Sequence, residues 1–508
     1  EGLYETSYLP TQYLTKLVID GKPINFKASI NAKSNLKHGN FFHALHYGLN
    51  YTYSVNKGKG EQYDLNLPPY VGTKSTRPRP YSDIPALKNL AFFVEDNLSV
   101  HFGNHNLLIQ PGIRATNMLG LDDKYKMQGK FYWEPRVNMR LTFPQFRIAE
   151  QNSSLAITAG AGQFYKMPTM AQLYPDKLYF DYTELNYYST NYPQYNQIWV
   201  RTFIEDRINY ELEPVKNLKL EAGLIFKLGQ MKLDVTFFRE MMKNGFASNY
   251  AYAMHNYNYY DAESAPYPPA SKPSLNDFTY SNENITATYS YTKNTAKTFK
   301  TGIEYTLDIG QIKPIYTKIW VNGAWFRTHY DTNDNRYYKP SAIYNERPYP
   351  YIGVYDYSSS DEVRSQFNTN IYFDTHIPFL RMVFTTSIQT MWYTMSKTDY
   401  NDGIPYAYID EYGNWHEFTA DMADQPIFKN LVDSHNDYFF STNRTALASR
   451  LNLKLSKEIG DNLKLACFFN NILSYMPDYT SYTGITVTNR TKATGERPYF
   501  GAEINITF

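Results

Sequence analysis

The chain carries a single cysteine, Cys467, in 508 residues. One cysteine excludes an internal disulfide framework and any cysteine metal cluster. Its same-parity neighbours Leu465 and Phe469 are apolar, so it is expected to pack as a small apolar residue. An excess of either charge is also lacking: 50 Lys and Arg stand against 49 Asp and Glu, for a net charge of +1, with no basic tract and no zinc-like Cys/His spacing. Nucleic acid is therefore a poor partner. No apolar run approaches the roughly 18 residues that a membrane-spanning helix requires. That absence does not bear on a transmembrane barrel, whose lipid face is hidden in alternate residues. Helical periodicity is scarce too, with short helical turns expected within 168–176 and 419–433. The opening "EGLYETSYLP" is no signal peptide, so the compartment must be argued from architecture.

What the chain has in abundance is tyrosine and alternation. Aromatic residues make up 17%, with 50 tyrosines, and tyrosine suits both strands and water–lipid boundaries. The last stretch, "ERPYFGAEINITF", puts Phe500, Ala502, Ile504, Ile506 and Phe508 on one parity and Gly501, Glu503, Asn505 and Thr507 on the other. A period of two is a strand with one apolar and one polar face. The same pattern runs through 25–33, 218–228, 300–308, 367–374, 382–392 and 451–457. About sixteen such segments of about eight to fourteen residues are expected, a length that fits tilted membrane strands. A further strand is assigned to 12–19.

The connections alternate between short and long. Tight turns follow the segments near 101, 228, 308, 374 and 457, whereas long loops occupy 55–88, 166–216, 245–294, 331–363, 394–442 and 472–497. Transmembrane barrels sort their turns in this way, short on the periplasmic side and long outside. The expected fold is an all-β, transmembrane antiparallel β-barrel, with residues 1–508 forming one barrel domain and the C-terminus on the short-turn side. The inward parity carries Lys, Glu, Asp, Asn, Thr and Ser, so the interior is watery or filled by another polar body.

No arrangement of groups suggests catalysis. His43 and His46 fall on opposite parities, and Asp234 and Glu240 share the inward face as lumen polarity rather than as a catalytic pair. No enzyme, cofactor or metal site is expected. Binding is expected in the Tyr- and Asn-rich loops, whose flat rings and two-way amides suit sugars, aromatic siderophores or peptides. The candidates are Tyr187, Tyr188, Tyr257, Tyr259, Tyr260, Tyr337, Tyr338 and Trp415. The alternative is that these loops simply pack on one another.

Several stretches resemble TonB-dependent outer-membrane receptors. Residues 90–118 resemble the family's Phe-Val-x-Asp strand and the Pro-Gly-x-Arg strand after it, at Phe93, Val94, Asp96, Pro111, Gly112 and Arg114. Pro135 and Arg136 resemble the next strand, and Lys166, Pro168, Thr169 and Leu173 a Lys/Arg-x-Pro-Ser/Thr-x-x-x-Leu motif. The strands in 208–226 and 299–307 continue the series, and Asn471-Ile472-Leu473 loosely matches an Asn-Leu-Phe stretch before the last strand. The likeness spans about residues 90 to 508, in the family's order, with a weaker Bacteroidetes-like flavour. It implies a barrel of about 22 strands, of which this chain supplies about sixteen, the plug and first strands lying outside it. It further implies a bacterial outer-membrane location and import of a scarce ferric siderophore, oligosaccharide or peptide. The implied partners are outer-membrane lipid and, through the plug, a TonB-type inner-membrane energy complex; a surface lipoprotein is left open. The alternative reading is a passive porin or diffusion channel. An adhesin or hydrolase carried on a barrel would need an inserted domain or a clustered catalytic set, and neither is visible.

Overall fold

Backbone hydrogen bonds that cannot reach water must be closed within the protein, and a chain without apolar helices can do so only in a ladder of strands. The computed structural model describes residues 2–69, 76–345, 347–356, 361–488, 490 and 497–507, and shows that ladder. Its first six strands are β1 (Pro23–His38), β2 (Phe41–Asn56), β3 (Leu87–Phe102), β4 (His105–Leu119), β5 (Tyr132–Thr142) and β6 (Gln151–Lys166). Next come β7 (Val215–Leu228), β8 (Met231–Tyr260), β9 (Tyr280–Ile312), β10 (Thr317–Thr332) and β11 (Glu362–Ile377). The last four are β12 (Met382–Thr398), β13 (Ala448–Ile459), β14 (Leu463–Tyr475) and β15 (Tyr499–Ile506). Each pairs antiparallel with the next, and the sheet curls into a barrel. Among the described residues, β1 is laddered only to β2 and β15 only to β14.

Register explains the alternation. Across neighbouring strands Leu455 faces Cys467 and Cys467 faces Ala502, while Leu465 faces Ile504 and Phe469 faces Phe500. On the same face, among the first strands, Ile30 faces Leu49, Leu49 faces Phe92 and Val94 faces Ile113. These rows form an outer apolar surface with no protein against it: Ile30 is 71% and Phe500 82% exposed. A surface this apolar is at home in lipid. The parity expected for 500–506 is the one observed, and Phe508 lies outside the described residues.

The short-turn end includes glycine turns and 3₁₀ turns. The β7–β8 turn needs a left-handed residue and has Gly229 at φ 58°, where glycine pays no Cβ penalty. The β9–β10 and β11–β12 turns are instead single 3₁₀ turns with proline near their start, closed by Tyr316 and Arg381 in left-handed conformation.

Two segments differ from expectation. No barrel strand occupies 12–19; Val18–Asp20 pairs instead with Gly60–Gln62 on the long-loop side. The apolar run there completes a loop sheet, and the barrel strand begins after the Gly21-Lys22 turn. Most of 245–294 is not loop: β8 and β9 continue, after a register shift near Gly245, as far as the pair Tyr260 and Tyr280. Their Tyr/Asn alternation, with Tyr250, Tyr252 and Met254 on one parity and His255, Tyr257 and Tyr259 on the other, is a strand pattern written in loop-like residues.

The packed core is not in the barrel. Four clusters of buried side chains all lie at the long-loop end. One joins Met118, Leu121, Tyr125, Met127, Leu173 and Leu212; another joins Tyr349, Phe418, Phe428 and Leu431. The remaining two centre on Ile352, Val354, Ala407 and Ile409, and on Leu185, Tyr187 and Phe278. Helical turns occur in both expected stretches, at Met170–Leu173, Ala420–Met422 and Lys429–Leu431, and also outside them, at Tyr81–Asp83, Pro193–Tyr195, Leu275–Asp277 and Asp437–Phe440. The first is opened by a capping box between Thr169 and Gln172.

Candidate functional site

Inside the barrel the polar parity forms a charged lattice. Glu95 pairs with Arg136, Arg114 with Glu134 at 3.6 Å, and Lys219 with Glu221 at 2.5 Å. Phe238 and Phe326 interrupt it and carry cations over their rings: Lys219 and Lys300 on Phe238, and Lys300 on Phe326 at 4.6 Å. Asn370 donates to Asn322 at 2.9 Å farther round the wall. These groups are satisfied by one another, as an aqueous or polar-filled interior requires. Asp96 lies on the opposite face, 2.6 Å from His43.

Above the barrel the loops are tied into a crown. Gly2–Thr6, Gln197–Glu205 and Leu178–Tyr187 make a three-stranded sheet beside the extended β8–β9 hairpin. The hinge between them is His255, 2% exposed on β8. Its Nε2 lies 2.9 Å from Glu205 and its Nδ1 3.1 Å from the Tyr182 hydroxyl, with the ring stacked on Phe203 at 4.3 Å. Burial pushes the Tyr182 phenol up, helped by Tyr257 and Glu205. A second small sheet, Arg336–Tyr338, Ile352–Tyr355, Ala407–Ile409 and Trp415–Glu417, forms a lid beside the same hairpin. Arg336 of this sheet binds Asp433 of a neighbouring loop at 2.6 Å. Lys293 and Asn249 of the hairpin reach Asp334 ahead of the sheet, at 2.8 and 2.7 Å.

The expected binding residues separate into two groups. Tyr337 and Trp415 meet around Tyr252, whose hydroxyl accepts from Trp415 Nε1 at 3.0 Å. Tyr338 lies under the Arg336 guanidinium. Towards the three-stranded sheet, Tyr257 of the hairpin stacks on Tyr182 at 5.0 Å, Tyr260 tilts against Tyr280 across the hairpin, and Tyr188 meets Tyr8. Tyr259 is exposed, whereas Tyr187 is buried edge-on against Phe278. The structure thus brings Tyr337 to Trp415 but does not gather all eight.

Among the described residues, at least two cavities open in the crown. A cavity of about 170 Å³ between hairpin and lid is lined by Tyr257, Asn282, Asn284, Lys339, Tyr349 and Tyr412. Lys339 donates to the Thr286 carbonyl at 2.9 Å, and burial lowers its pKa. A larger one, about 530 Å³, has Arg77, Arg79, Tyr174, Asp176, Arg207 and Tyr291 in its wall. The sequence reading passed over it. Its only local signal is the Arg77-Pro78-Arg79-Pro80 run, and Arg207 reaches it from 130 residues away.

A family model described as TonB dependent receptor-like, beta-barrel, matches residues 4–262. Among solved structures, the siderophore receptor PirA from Acinetobacter baumannii aligns with 96% of this chain and 55% of its own, at 13% identity and TM-score 0.50. The ferric enterobactin receptor PfeA from Pseudomonas aeruginosa aligns with 98% of this chain and 55% of its own, at 14% identity and TM-score 0.49. The outer membrane transporter YddB from Escherichia coli gives 95%, 54%, 12% and 0.47 for the same quantities. Identity this low speaks for fold alone. The chain spans about half the length of these structures. No curated protein sequence matches it.

Proposed function

Because the chain belongs to the TonB-dependent receptor-like β-barrel family, we propose that it is the membrane barrel of an energised importer in a bacterial outer membrane. The observation that carries this reading is the crown: the chain's buried cores lie in its long loops, with cavities between them, above a wall of polar side chains. A passive channel needs only the wall. A receptor needs a pre-formed surface that recognises a scarce solute, and folded, pocketed loops supply one. The ligand class is a ferric siderophore, an oligosaccharide or a peptide, taken up among the crown aromatics, with Tyr188, Tyr257, Tyr259, Tyr337, Tyr338 and Trp415 as contact residues.

Two features support a larger assembly. The polar lattice calls for water or a polar plug inside, and among the described residues no ladder joins β1 and β15 to each other or to a further strand. In this reading further strands complete the barrel, and the plug couples to a TonB-type inner-membrane complex. The test is a pair of measurements on the full-length protein. In planar bilayers it shows no steady conductance, and in cells ligand uptake stops when the proton gradient is collapsed. Steady ohmic conductance together with gradient-independent uptake would establish the porin instead.

A further inference from the structure

The larger crown cavity has an electrostatic property that its size alone does not explain. Three guanidinium groups line it, from Arg77, Arg79 and Arg207, against two carboxylates, Glu61 and Asp176. Arg77 is spoken for: it is clamped to Asp181 and lies over the Tyr179 ring at 5.1 Å. The other two are held differently. Arg79 Nη1 donates to the carbonyls of Tyr174 at 2.9 Å and Pro175 at 3.0 Å, and meets Asp176 Oδ1 only at 3.3 Å. Arg207 Nε donates to the carbonyl of Asp176 at 2.9 Å. Among the described residues, Nη1 and Nη2 of Arg207, and Nε and Nη2 of Arg79, have no acceptor.

Carbonyls orient a guanidinium without neutralising it. The three-residue strip 174–176 therefore orients both arginines through its carbonyls and leaves outer N–H groups of each for something else. The carboxylate that meets Arg79, Asp176, is half-exposed and off ideal distance, so water screens most of its attraction. A planar fork of N–H donors matches carboxylate and phosphate oxygens, and a cavity of about 530 Å³ admits a ligand of small-molecule size. From this geometry we infer that Arg79 and Arg207 form an oxyanion clamp, taking a carboxylate or phosphate group of the imported ligand. The inference rests on the importer reading and narrows its ligand to an anionic one.

Titration of the detergent-extracted full-length protein with citrate and with inorganic phosphate tests it. One of the two binds saturably, and which one distinguishes a carboxylate from a phosphate source. Arg79→Gln and Arg207→Gln each weaken that binding by about 10-fold, and Arg207→Lys recovers part of it. Arg381→Gln, which removes the same charge at the short-turn end, leaves it unchanged. The heat-dependent gel shift of a folded barrel shows that each variant is folded. Binding of neither anion up to about 10 mM, or binding untouched by both crown variants, overturns the clamp. If a neutral oligosaccharide is instead imported under the proton gradient, the importer stands and the clamp falls. If the protein conducts steadily and uptake ignores the gradient, the importer reading falls whatever the anions do.

Discussion

Gly302 sits opposite Phe238 on the inner wall, and Phe238 lies between the ammonium groups of Lys219 and Lys300. A Cβ at Gly302 would come 2.7 Å from Phe238 Cζ and 2.6 Å from the Trp325 carbonyl oxygen. The carbonyl belongs to the ladder and cannot retreat cheaply, so the ring must swing away and release both cations. Gly302→Ala is therefore expected to cost about 1–3 kcal/mol, read as a lower denaturant midpoint in detergent. An unchanged midpoint would mean that the ring is not held in this position. The strand at 300–308 was legible from its alternation, and so was the inward face of 234–240. The reason for an inward phenylalanine was not, because it depends on a cross-strand register that no local pattern carries. The same holds for Arg114 and Arg136: a motif resemblance marks them, but only the ladder shows them paired to Glu134 and Glu95 across the wall.

Elements that cross the membrane could be read from period and turn spacing; those that build the crown could not. Stretches rich in Tyr and Asn look like loop, yet β8 and β9 run through them, because Tyr260 is joined to Tyr280 by a register that begins more than twenty residues earlier. The lid is assembled from segments some 50 residues apart, and its core is likewise non-local. One of its hairpins, Ala407–Ile409 with Trp415–Glu417, turns on Asp410. Burial alone would raise the pKa of this carboxyl, but His416 at 2.8 Å, the Asn414 side chain and backbone, and the Tyr412 N–H outweigh burial. They hold it down at about 2, below its ordinary 3.8. A depressed acid contributes stability above its unfolded value and loses it as pH falls through the folded one. The hairpin is thus expected to keep its amide protection at pH 4 and above, and to lose it progressively towards about pH 2. Hydrogen exchange across 407–417 measures this. Asp410→Asn should raise exchange already at neutral pH and flatten the acid dependence; the same acid profile in that variant would place the titrating group elsewhere.

For the whole molecule, one assignment underlies the rest: one face of the sheet meets lipid and the other meets a polar interior. A soluble sheet would reverse this, burying the face that here carries Ile30, Leu455, Ile504 and Phe500. Cys467 offers a direct test because it stands in that outer row between Leu455 and Ala502. One register position away Lys454 faces Phe468 on the inner wall. A spin label on Cys467 in bilayers should collide more often with oxygen, which concentrates in lipid, than with a charged nickel chelate. A label at Lys454→Cys, with Cys467→Ala, should show the opposite preference. The two sites are neighbours in the same ladder, so detergent effects, local mobility or a tilt of the barrel cannot invert one against the other. If Cys467 favours the chelate and the inner site favours oxygen, the polar lattice of Glu95, Arg136, Lys219 and Glu221 faces outward, and neither a plug nor a translocation path can be placed against it.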